Sequence, residues 1–179
     1  HQGGKVKGGS ILLKKDNVTP EGLKGDPTVP DVRASFFIVP TDILEALHRE
    51  FSALAGERSS SGILYRTGYR CGQTVTAKMN FQLDDDGMLG DALTNLWIEI
   101  GLGRISSILP TDEGALKIVS EESTEARSMG IVHKKVCDIT TGYLAGTASA
   151  LTGHDFVCEE TRCFSNGAEQ CEYILRRKA

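Results

Sequence analysis

The chain has 179 residues, 40% hydrophobic and 25% charged, the profile of a single globular domain long enough to bury a core. A formal charge of −4 leaves no basic surface for sustained phosphate contact, which excludes direct nucleic-acid binding by this chain alone. Five cysteines, an odd and widely spaced set, do not form a small disulfide scaffold, and no apolar run approaches the ~18 residues of a membrane span. A reduced, cytoplasmic protein is the expectation.

His1-Gln2-Gly3-Gly4 has neither an initiator Met nor a signal pattern and reads as a tag remnant. Residues 1–33, with Pro20, Pro27, Pro30 and one apolar cluster at Ile11-Leu12-Leu13, read as a loose N-terminal arm, and residues 34–179 as one domain. Ala34–Val39 is a strand candidate closed by Pro40. Thr41 or Asp42 then caps a first helix, with Glu45 in capping-box position and Ile43, Leu44, Leu47, Phe51 and Leu54 as its buried stripe. His48 falls on the polar side of that helix and reads as a surface residue. A second helix, Ser60–Asn80, places Leu64, Gly68, Cys71, Gly72, Val75 and Met79 on one face. Asp84-Asp85-Asp86-Gly87 lacks the alternation of a calcium loop and reads as a solvated turn before a third helix, Leu89–Ile100, whose inward residues include Trp97.

After Gly101 the pattern alternates. Arg104–Leu109 and Ala115–Val119 form a hairpin about the Pro110–Gly114 turn. Val136–Leu151 is a fourth helix ending at Gly153, and Asp155–Phe164 with Gln170–Leu175 makes a second hairpin around Asn166-Gly167. Helices and hairpins come in blocks, so the fold class is α+β: an antiparallel sheet with about four main helices packed on it.

Gly68-Tyr69-Arg70-Cys71-Gly72 and Gly142-Tyr143-Leu144-Ala145-Gly146 share a frame with glycines at i, i+4. Glycine costs roughly 1 kcal/mol in a helix interior, so such pairs point to close backbone approach: helix packing first, a ligand against bare backbone second.

Cys163 and Cys171 are symmetric about Gly167, which would set them facing across a hairpin; Glu160 precedes Cys163 by three, and Cys137 opens the fourth helix. Three thiolates and a carboxylate would complete a closed tetrahedral zinc shell. A disulfide between the facing cysteines, or thiols that simply pack, are the competing readings. Residues 160 and 163 point to opposite faces of a regular strand, so the zinc reading also demands a bulge or turn between them.

The run Val136-Cys137-Asp138-Ile139-Thr140-Thr141-Gly142-Tyr143-Leu144-Ala145-Gly146, then Cys158-Glu159-Glu160-Thr161-Arg162-Cys163 and Gly167-Ala168-Glu169-Gln170-Cys171, resembles the 4-vinyl reductase domain. It is similar to the sensor domains of aromatic-responsive bacterial transcription activators. The resemblance covers residues 34–176 and is most specific in its last 40 residues. It implies structural Zn2+ on Cys137, Glu160, Cys163 and Cys171, a homodimer, and an apolar pocket for a small aromatic or tetrapyrrole-like ligand. Trp97, Tyr69 and Met79 are the candidate ligand-binding residues. In the sensor relatives a Trp and a His hold the ligand; neither Trp97 nor His48, His133 or His154 can be placed on those positions, which leaves phenol-type recognition in doubt.

No catalytic motif stands out: Gly101-Leu102-Gly103-Arg104-Ile105-Ser106 lacks the third glycine of a dinucleotide loop, and no Gly-x-Ser-x-Gly or His-Glu-x-x-His occurs. The expected function is therefore a zinc-stabilised sensor or carrier of a hydrophobic small molecule, more a binding module than an enzyme. The alternatives are an enzyme or accessory in tetrapyrrole vinyl reduction, and a vesicle-tethering-like scaffold with Cys71 as acylation candidate. In a transcriptional role the effector would be a separate protein.

Overall fold

The computed structural model describes residues 40–78, 83 and 88–178. The N-terminal arm, the strand expected at 34–39, Met79 and the acidic turn at 84–87 lie outside the described residues. The elements run α1 (Asp42–Ala55), α2 (Glu57–Lys78), α3 (Leu89–Glu99), β1 (Gly103–Pro110), β2 (Leu116–Ser123), α4 (Thr124–Met129), α5 (Asp138–Thr152), β3 (Phe156–Arg162), a 3-10 turn (Phe164–Asn166) and β4 (Cys171–Arg177). The four strands form one antiparallel sheet in the order β1-β2-β4-β3. The α+β expectation holds, with five helices among the described residues. The extra one, α4, spans only six residues, too few to show a period, and is capped by the Ser123 hydroxyl accepting from the Ala126 amide at 3.3 Å. No described helix is long and apolar enough to cross a membrane.

The core lies between the sheet and α3 and α5, and includes Leu93, Trp97, Ile118, Leu144, Leu151, Tyr173 and Leu175. Helix α5 is buried from Thr140 through Ser149. It is roofed by α2 and floored by the sheet, so its small residues serve close approach on both sides. The packing explains the shared glycine frame directly. A Cβ on Gly68 or Gly72 would collide with backbone atoms of Ile139, Tyr143 and Thr147, and one on Gly142 or Gly146 with the carbonyls of Tyr65 and Tyr69. The two helices meet backbone to backbone through reciprocal glycines.

Two expectations for α1 are corrected. Thr41 has helical dihedrals (φ −61, ψ −24) and makes no side-chain cap, because a capping hydroxyl needs an extended backbone to reach forward. The apolar stripe is not buried either: Ile43 is 41% and Leu54 82% exposed, while the buried residue of the helix is His48. The reason is the surface that α1 meets, which presents the carboxylate of Glu125. On α2 the buried line is Ser60, Leu64, Gly68, Gly72 and Thr76, and Cys71, expected on that face, is exposed.

Candidate metal centre

Cys137 is the N-cap of α5, where the preceding loop turns into the helix. Glu160 lies near the end of β3, and the β3–β4 register slips between Glu160 and Arg162, so the strand bulges there. That irregularity turns Cys163 to the same side as Glu160. The 3-10 turn and Gly167, left-handed at φ 90, then carry the chain back to Cys171 at the start of β4. Cys163 and Cys171 thus bound a loop just beyond the last paired rung, Arg162 opposite Glu172.

One ligand atom from each of Cys137, Glu160, Cys163 and Cys171 lies within 4.8 Å of all the others, and all four residues are buried. Cys137 Sγ is 3.8 Å from Cys171 Sγ and 4.0 Å from Cys163 Sγ. A tetrahedral ion with metal–sulfur bonds of about 2.3 Å has sulfur–sulfur edges of about 3.8 Å. All five cysteines are free thiols, so the disulfide reading does not describe this structure. The cluster could hold a metal ion.

Its electrostatics suit a cation. Burial pushes the Glu160 carboxyl up to about 8, against the hydrogen bond from the Cys137 side. Burial also drives the Cys137 thiol well up, while hydrogen bonds from Cys137 and Cys163 pull Cys171 down to about 3. Four acidic groups confined together disfavour one another's ionised forms, and a divalent cation would relieve them at once. Fixed donors are already aimed at the cluster: Cys137 N–H reaches Glu160 Oε2 at 3.1 Å, and Phe164 N–H reaches Cys171 Sγ at 3.3 Å. Glu160 Oε1 is buried without a hydrogen-bond partner among the described residues, as a ligand oxygen would be.

Beside the centre stands a second buried carboxylate that sequence reasoning missed. Glu125, 0% exposed on α4, accepts from Ile139 N–H at 2.9 Å and Thr140 N–H at 2.8 Å, and its Oε1 lies 2.7 Å from His48 Nε2. It caps α5 from outside that helix and docks α1 through the histidine. The surface reading of His48 is thereby overturned. Its partner is 77 residues away, and the only signal was Glu125 itself, following the Ser123 cap.

The candidate ligand residues are not gathered in one place. Trp97 is 2% exposed and meets Tyr143 edge-on, with ring centroids 6.4 Å apart. Its indole N–H has no hydrogen-bond partner among the described residues. Tyr69 belongs to the α2–α5 interface and its hydroxyl donates to Ser149 Oγ at 3.0 Å. Separately, an open depression of about 310 Å³ lies on α2 at Ile63, Arg66, Thr67 and Arg70.

Several solved structures share the fold. The phenol-responsive sensory domain of the transcription activator PoxR, with phenol, aligns at a TM-score of 0.63 and 22% identity, over 79% of this chain and 76% of that one. A trafficking protein particle complex subunit 3 from Naegleria fowleri, covalently bound to palmitic acid, aligns at 0.58 and 14% identity, over 78% and 95%. A vinyl-4-reductase family protein from Methanocaldococcus jannaschii aligns at 0.49 and 18% identity, over 82% and 100%. At these identities the likeness is one of fold. No curated protein matches the chain. The segment that holds β2, α4, α5, β3 and β4, and with them all four cluster residues, is recognisable in sequence as well: residues 116–177 match the vinyl-4-reductase (4VR) domain family.

Proposed function

We propose that this chain is a zinc-stabilised small-molecule-binding domain, a sensor or carrier for a hydrophobic ligand of aromatic or tetrapyrrole-like shape. The observation that carries the ligand reading is Trp97: a buried indole N–H without a partner among the described residues, walled by Leu93, Tyr143 and Leu144. An unpaired donor in apolar surroundings costs roughly 1–3 kcal/mol, and a polar substituent on an otherwise apolar ligand would satisfy it. The match to the vinyl-4-reductase domain family and the shared fold with a phenol-responsive sensory domain support the same reading. For the metal, three sulfurs and one carboxylate with no position left for water favour zinc in a structural role over magnesium or calcium. The chain would act as a homodimer, which Ile43 and Leu54, presented to solvent on α1, support.

Trp97 is the only tryptophan, so its emission reports its own surroundings. Titration with simple phenols and with a chlorophyll-type tetrapyrrole should give a saturable change with one class, lost in ligand-affinity assays of Trp97→Phe by calorimetry. No saturable response to either class, and no small molecule co-purifying by native mass spectrometry, would refute the ligand reading.

A further inference from the structure

One buried hydroxyl at the metal centre has no partner in the network just described. Tyr173 is 0% exposed and lies on the inner face of β4, two residues beyond Cys171, paired across the sheet with Glu160 on β3 and Ile118 on β2. Its phenolic oxygen has no hydrogen-bond partner among the described residues. Its polar neighbours are the Cys137 sulfur and the Ser123 hydroxyl. Ser123 Oγ is 3.4 Å from Cys137 Sγ and already accepts the Ala126 amide, so its own proton is free to go to the sulfur.

Charge gives this placement a purpose. Three thiolates and a carboxylate around a divalent cation leave a net charge of −2, out of contact with water, and such a charge persists only where hydrogen bonds disperse it. Cys171 has a backbone amide for this, and Glu160 has the amide of Cys137. For the Cys137 sulfur the donors at hand, apart from the other ligands, are the two hydroxyls. We infer that Tyr173 and Ser123 are positioning residues of the metal centre, both giving their protons to the Cys137 sulfur when it is a metal-bound thiolate. This rests on the metal reading proposed above. It explains why a tyrosine occupies a site where phenylalanine would fill the same core volume without an unpaired oxygen.

The test uses the full chain, stripped with chelator and loaded with Co(II) as the probe, in the wild type and in Tyr173→Phe, Ser123→Ala and Ser123→Thr. A hydrogen bond lowers the energy of sulfur lone pairs, so its loss moves the thiolate-to-cobalt charge-transfer band to longer wavelength. Tyr173→Phe and Ser123→Ala should each show that shift and bind metal about tenfold more weakly, while Ser123→Thr keeps the wild-type band. Tyr173→Phe that loads with an unchanged band and unchanged affinity overturns the inference and leaves the metal reading standing. A wild-type chain that takes up no cobalt overturns both. Because Ser123 also caps α4, a Ser123→Ala chain that does not fold leaves Tyr173→Phe to decide.

Discussion

Replacing Gly72 with alanine would test the claim that α2 and α5 are held at backbone contact by their glycines. An alanine Cβ there would lie 2.5 Å from Tyr143 O, 2.8 Å from Thr147 N and 2.9 Å from Thr147 Oγ1. The hydroxyl can rotate away, but the two backbone atoms cannot. Ordinary contact begins at 3.4 Å, so the helices must part by about 3.4 − 2.5 = 0.9 Å. A gap of 0.5–1 Å forfeits roughly a quarter to a half of each dispersion contact along the interface, and overpacking of this kind typically costs about 1–3 kcal/mol. The better helix propensity of alanine returns about 1 kcal/mol. With α5 buried from Thr140 to Ser149, the upper part of that range applies, for a net loss of about 2 kcal/mol. Gly62 on the same helix is the control, since nothing lies within 4 Å of its would-be Cβ. Gly62→Ala should therefore stabilise by about 1 kcal/mol. In urea, with a slope of about 2 kcal/mol/M, the midpoint followed by Trp97 fluorescence should fall by about 1 M for Gly72→Ala and rise by about 0.5 M for Gly62→Ala. A Gly72→Ala chain as stable as the wild type, or two variants that move together, would refute the glycine argument.

On the metal reading, elemental analysis should find about one zinc per chain, and Cys163→Ser should lose it together with several kcal/mol of stability, because structural zinc binding is folding free energy; full stability without metal would count against it. Glu125→Ala leaves His48 and two α5 amides unpaired in the interior, at about 1–3 kcal/mol each, so its Tm should drop by roughly 10 °C, whereas Glu125→Gln, which keeps one acceptor, should lose less. Equal melting of both variants and the wild type would remove Glu125 from the account of α1 docking. Leu54→Asp should leave the fold intact, since the residue is 82% exposed, and shift the chain toward monomer in light scattering; an unchanged oligomeric state would exclude α1 from the dimer interface.

The parts of this fold that could be read from sequence are those encoded locally. Both hairpins announce themselves through turn residues, and Gly153 ends α5 in the left-handed conformation that a C-terminal glycine adopts. The symmetric spacing of Cys163 and Cys171 about Gly167 survives as a tight loop, and the bulge that the spacing of Glu160 and Cys163 demanded lies between Glu160 and Arg162. What escaped is set by distant partners. His48 looks like a surface residue until Glu125 is placed opposite it, and α1 looks amphipathic although its neighbour is polar. Thr41 has the right chemistry for a cap and the wrong backbone angles, which no pattern of residue types reveals. The resemblance named the cluster residues but said nothing of Tyr173, whose role depends on which face of β4 meets the centre.

Helix α5 is where these features act on one another. Its N-terminus is gripped from several sides: Glu125 takes two of its amides, Ser61 Oγ donates to Asp138 at 2.5 Å, and Cys137 ties the cap to Glu160. Its flank is pressed on α2 by bare backbone, and near its C-terminal end Ser149 Oγ receives both the Tyr69 hydroxyl and the Phe156 amide. Tyr143, in the middle of this clamped rod, is the residue that touches Trp97. A ligand engaging the indole would therefore push against a wall that cannot yield, and the displacement would fall on α3, which packs against α5 and β1 and is not part of that clamp. On the proposed function, the metal centre and the glycine seam make α5 the fixed side of the binding site, and the α3 side is where a ligand's presence becomes movement. Hydrogen exchange with and without ligand should accordingly change at the amides of Leu93–Trp97 far more than at those of Gly142–Ser149; the opposite ranking would place the movable wall on α5 and contradict the fixed role of its clamps.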